Sequence, residues 1–171
     1  MSMAHKAFAF DWRAFEESLL PIIESALCVG EGEVVKEWCV RNRALLVDPY
    51  EGQPLPEDWE SHLEVGDVQE LADYALTAFY DPCDDLGLGD VWLALDERVD
   101  PAISVALLGE AVGPAHTLFD PGRMGSYFVR PDQVKAVVDL LRSNDLVGLQ
   151  EYAAAVERAC VSSSRGLYVT F

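Results

Sequence analysis

The chain has 171 residues, half of them hydrophobic, with a mean hydropathy of +0.08; this excludes a disordered polymer and provides one ordinary core, not two. The formal net charge is −18, and no run approaches the ~18 consecutive apolar residues of a membrane-crossing helix. A field of that sign repels nucleic-acid phosphates and anionic lipid and attracts basic proteins and cations, so neither nucleic acid nor membrane is expected as a partner.

The first element in chain order is a β-favouring segment at 7–10, followed by Asp11, a helix cap. The helix it opens turns Phe15, Leu19, Ile22, Ile23, Ala26 and Leu27 inward, with Phe10 and Phe15 as a hydrophobic staple. Pro21 falls inside this pattern, where it lacks the required N–H, and predicts a kink or restart near Ser18; Gly30 ends the helix. A second helix is predicted over 31–43 with Val34, Val35, Trp38 and Cys39 on one face, then a proline-rich loop over 48–56.

Asp67 caps the best-patterned helix, in which Val68, Leu71, Ala75, Leu76 and Phe79 face in while Glu70 and Asp73 face water. It stops at Asp81-Pro82, before an Asp- and Gly-rich turn over 83–90, and Asp90 is placed to cap a short helix carrying Val91, Trp92 and Leu95. Asp100-Pro101 starts a helix that Gly109 ends. A loop over 110–123 leads to a strand at 126–129, a helix opened by Pro131 with Val134, Val137, Val138 and Leu141 inward, and a last helix capped by Asp145. The end, 166–171, alternates as a strand does and is expected to pair with 7–10. The fold class is therefore α+β: a mostly helical single domain, with a small sheet formed by the terminal strands and the strand near 126–129.

The charge is segregated within this order. Residues 44–97 hold fifteen Asp and Glu and no Lys or Arg, whereas 1–43 hold seven acids against five bases and 98–171 eight against seven. The four cysteines, Cys28, Cys39, Cys83 and Cys160, lie far apart with no C-x-x-C, which points to reduced thiols in a cytoplasmic protein and to no metal or other cofactor.

Two groups in the acidic stretch are candidates for binding. Trp59 lies among Glu57, Asp58 and Glu60, and an aromatic ringed by carboxylates suits a Lys- or Arg-rich partner. Asp81, Asp84, Asp85 and Asp90 are hard oxygen ligands within ten residues, although they lack the spacing of an EF-hand. His116, in the loop Gly113-Pro114-Ala115-His116-Thr117, is the histidine best placed to act as an exposed base. Cys83 or Ser126 with His116 or His62 would make a nucleophile and base, without any local signature of a nucleophile elbow.

The second half resembles a known family. The run 100–110, with its helix ending in Leu108-Gly109-Glu110, followed by Ser126-Tyr127-Phe128-Val129-Arg130-Pro131-Asp132 and the helix after it, is similar to the YfbM-like family of bacterial proteins. The resemblance covers about 70 residues and implies an α+β cytoplasmic bacterial protein, with no catalytic residues to transfer. The opening Ala7-Phe8-Ala9-Phe10-Asp11 departs from the Met-Gly-rich strand that usually begins that family.

The expectation is thus a non-catalytic interaction protein that binds a basic protein through the acidic stretch 44–97, as inhibitor or immunity proteins do. The alternative is a small metal-dependent or hydrolase-like enzyme with its site in the loops 83–90 and 113–125.

Overall fold

The last strand in the chain is the middle strand of the sheet. In the computed structural model, which describes residues 3–64 and 66–171 and leaves Met1, Ser2 and Val65 outside the description, β1 (Lys6–Phe10), β2 (Ser126–Val129) and β3 (Gly166–Thr170) pair antiparallel in the order β1-β3-β2. Phe8 and Phe128 both stand opposite Tyr168. The two-residue period of the strands then puts Phe8, Phe10, Phe128 and Tyr168 on one face and Ala7, Val129, Leu167 and Val169 on the other.

Helices cover both faces. Against the aromatic face lie α1 (Trp12–Ser18), α2 (Leu20–Val29), α3 (Glu33–Arg41) and α4 (Val68–Leu76). The short α5 (Trp92–Asp96) follows, and α6 (Pro101–Leu108), α7 (Pro131–Arg142) and α8 (Val147–Val156) pack on the aliphatic face. The aromatic layer is built from near neighbours: Phe10 and Phe15 centroids are 5.2 Å apart, and Phe15 stacks on Phe128 at 5.7 Å.

The local signals act where expected. Asp11 accepts from the Ala14 N–H, Asp67 from Gln69 and Glu70, and Asp100 from Ala102. Pro21 sits in the first turn of α2 after a break at Leu19, and Gly30 ends α2 at φ 77°. Two details differ. Val34 is half exposed, because α3 begins at Glu33 and turns only Val35, Trp38 and Cys39 fully inward. Asp145 does not cap α8; Leu146 holds that position, in a turn where the Asn144 side chain accepts from the Leu146 N–H.

Both sheet edges are covered by loops. On β1, Leu86 N–H donates to Ala7 O, Gly89 and His5 exchange backbone bonds, and the Asp85 carboxylate accepts from Ala7 N–H. On β2, Glu110 and Phe128 exchange two backbone bonds at 2.8 Å. The Asp- and Gly-rich turn is thus an edge cover that occupies donors an edge strand would otherwise expose.

Gly87 permits the close approach: a Cβ there would lie 2.2 Å from His5 O and 2.7 Å from Lys6 Cα. Gly87→Ala is expected to push the loop off β1 and to lower stability by about 1–3 kcal/mol in urea unfolding. An unchanged midpoint would refute this packing.

Candidate functional site

At one end of the sheet the aromatic face runs out into polar residues, where Lys6 stands opposite Thr170 and Thr170 opposite Ser126. A cleft of about 300 Å³ opens there, lined by Lys6, Phe8, Tyr50, Asp73, Tyr80, Asp85 and Tyr168 among others. Each wall comes from a different part of the chain: β1, the 48–56 loop, α4 and its exit, the 81–90 turn, the 120–125 loop and β3.

Asp73 is the unexpected member. The helical pattern predicts it facing water, yet it is only 8% exposed. The reason is the stripe Gln69, Asp73 and Thr77, whose four-residue steps put all three on one side of α4. Gln69 bonds Leu118 O and Asp120 N–H, fastening the 118–120 segment. Thr77 Oγ1 accepts from Val47 N–H, fastening the other loop, while its own proton goes to Tyr74 O at the end of α4. Asp73 lies between two loops that its neighbours hold down.

Its carboxylate is buried without a cation, since no ion pair among the described residues includes it. Burial pushes the Asp73 carboxyl up to about 6; the nearby Tyr50 hydroxyl works the other way, and Asp48 and Asp120 add to the rise. Tyr50 is pushed up to about 12, by burial first and then by Asp73. Tyr80 and Tyr168, 5.2 Å apart between centroids, are both shifted strongly upward by burial and stay neutral. The Ser126 hydroxyl bonds Asp120 at 3.1 Å and lies 3.4 Å from the Tyr168 hydroxyl, which fixes the floor of the cleft.

The predicted binding residues divide. Trp59 is 4% exposed and packs 5.2 Å from the ring of Tyr74, so it is core and cannot present its indole to a partner as its acidic flanks suggest. Glu57 and Asp58 are exposed, and Glu60 pairs with Lys36 at 3.1 Å. Arg43 donates to the carbonyls of Leu55 and Pro56, and Arg123 pairs with Asp67 and Glu70. Lys36 and Arg123, from outside the stretch, therefore neutralise part of it, and Arg123 does so in a pocket that it shares with Tyr50, Asp73 and Gly122.

Asp81, Asp84 and Asp85 lie exposed in the edge loop, where Asp81 accepts from Cys83 N–H and Asp85 from Ala7 and Gly87 N–H. Among the described residues no three His, Cys, Asp or Glu side chains converge as a metal ion requires. His116 is exposed and is not part of the cleft. Ser126 is buried against Asp120 and Tyr168 and not against a histidine, which overturns the Ser126–His pairing considered from the sequence. Cys28 and Cys83 are exposed free thiols; burial pushes Cys39 up to about 12 and Cys160 up to about 11, leaving both inert.

No helix among the described residues is long and apolar enough to cross a membrane. The chain matches no family model, no curated protein and no solved structure.

Proposed function

We propose that this is a non-catalytic interaction protein that binds a basic protein partner through the acidic surface of residues 44–97, in the manner of a small inhibitor or immunity protein. One observation supports the reading above others: Asp73 and Asp85 line one cleft, Asp48 and Asp120 from two further segments lie close enough to act on Asp73, and none of the four is in an ion pair among the described residues. An unneutralised patch of this kind gives attraction and orientation to a basic protein, while it repels nucleic acid. A cytoplasmic bacterial setting accords with the YfbM-like resemblance.

The interaction is expected to be salt-sensitive, because exposed charges are screened over about 8 Å at physiological ionic strength. The test is affinity capture of basic proteins at low and moderate salt, repeated with Asp81 and Asp84 changed together to Asn and, separately, with Glu57→Gln and Asp58→Asn. A partner lost with the first pair and kept with the second supports the cleft side of the surface. Capture unaffected by salt and by both pairs would remove the basis of the reading.

A second reading, a small enzyme, is favoured by the Asp73 carboxyl near 6, which suits general acid–base work, and by Asp85, Gly122 and Met124 bringing the two predicted loops to the cleft. If Ca²⁺, Mg²⁺, Mn²⁺ and Zn²⁺ all leave the melting temperature unchanged, the metal-dependent form of that reading falls.

A further inference from the structure

Resting on the reading of a basic partner, we propose that the cleft at the sheet end is a receptor for one arginine side chain of that partner, with Asp73 as the counter-ion and Tyr50, Tyr80 and Tyr168 as its walls. The size is appropriate, because about 300 Å³ is the lower end of the range for ligand pockets and suits a group the size of one side chain. The charge is specific as well. Asp73 is nine-tenths buried and has no cation of its own, and Asp85 lines the same cavity. Lys6 is the one base of the lining; it is exposed and forms no ion pair among the described residues.

The chemistry of the walls selects among cations. A divalent metal needs six or more oxygen ligands, and no three suitable side chains converge among the described residues. An anion meets the carboxylates of Asp73 and Asp85. A guanidinium is planar and weakly hydrated, has five N–H donors for a carboxylate and phenol oxygens, and is attracted to aromatic rings, whereas a compact ammonium loses more hydration on entry.

The test uses the full chain with two probes, N-acetyl-arginine amide and poly-L-arginine, against neutral N-acetyl-citrulline amide and poly-L-lysine. The arginine probes are expected to bind, the citrulline probe not to bind, and poly-L-arginine to bind more tightly than poly-L-lysine. Asp73→Asn is expected to weaken the arginine amide at least about tenfold, as loss of a charge-assisted bond does, and to erase the preference for poly-L-arginine. Glu151→Gln, which removes an exposed carboxylate outside residues 44–97, is expected to leave both unchanged.

Equal binding of the two polymers, unaltered by Asp73→Asn, overturns the cleft and leaves the acidic-surface reading standing. Binding of the arginine amide with no binding of either polymer at low salt overturns the protein-partner reading, because the cleft would then serve a free guanidinium compound.

Discussion

Asp73→Asn is expected to melt at a higher temperature than the natural protein at pH 7.5, although it removes the central charge of the cleft. The unfolded Asp73 carboxyl titrates at its ordinary 3.8 and the folded one at about 6. Between those values the folded state binds more protons, so stability contributed at this site falls as pH rises through the window, and above 6 the whole cost is present. A shift of about two units corresponds to about 3 kcal/mol, or roughly 6–12 °C for a domain of this size. Asn keeps an acceptor near the Tyr50 hydroxyl and has no charge to bury. Thermal melts of both proteins should therefore coincide below about pH 4, separate as pH rises from about 4 to 6, and keep the full separation above about 6. A variant that melts lower at pH 7.5 would show that Asp73 is a structural anchor instead. A carboxylate retained at a cost to the fold is the pattern expected of a group kept for binding or chemistry.

The largest loss is expected at His5. This ring is fully buried; its Nδ1 accepts from Leu88 N–H at 3.2 Å, and its Nε2 bonds Leu107 O at 3.0 Å. The neutral ring with the proton on Nε2 satisfies both, joining the β1 edge loop to the end of α6. Tyr152 and Phe171 stand edge-on at 5.5 and 5.9 Å. His5→Ala leaves two buried backbone groups unpaired beside a cavity and should cost about 3–5 kcal/mol, read as a fall in the urea midpoint. Burial holds the His5 ring below its ordinary 6.5 in the fold, against smaller opposing effects from the Leu107 bond and Asp85. Its contribution is therefore complete above 6.5 and is lost as pH falls below it, the reverse of Asp73. In the Asp73→Asn background the His5 slope should emerge alone, and His5→Ala should flatten it. If His5→Ala unfolds at the natural midpoint, the bridge is not structural.

How far the sequence reaches can be judged from α4. Asp67 as its cap and the inward set Val68, Leu71, Ala75 and Leu76 are legible because capping and helical periodicity act within a few residues. Asp73 was misplaced by the same periodicity, which assumes that a helix has one buried side. The available signal was the polar stripe Gln69, Asp73, Thr77: three hydrogen-bonding side chains in four-residue steps suit a helix covered on two sides by loops. Trp59 failed in the opposite sense, since its acidic neighbours are exposed while its own ring joins the core beside Tyr74.

The charge tells a similar story. The absence of bases from residues 44–97 is a property of the sequence, but Lys36, Arg43 and Arg123 fold onto one side of that stretch. Asp73 and Asp85, which line the cleft, are in none of these ion pairs. By itself the sequence determined the α+β class, the strand and helix order, the caps at Asp11, Asp67 and Asp100 and the breaks at Pro21 and Gly30, all of which depend on contacts within one or two turns. Only the tertiary structure decided that β3 lies between β1 and β2, that the acidic turn covers a sheet edge, and that Asp73 meets Tyr50, Tyr80 and Tyr168. Those outcomes depend on which distant loops close over which face, a choice made by the packing of the whole chain.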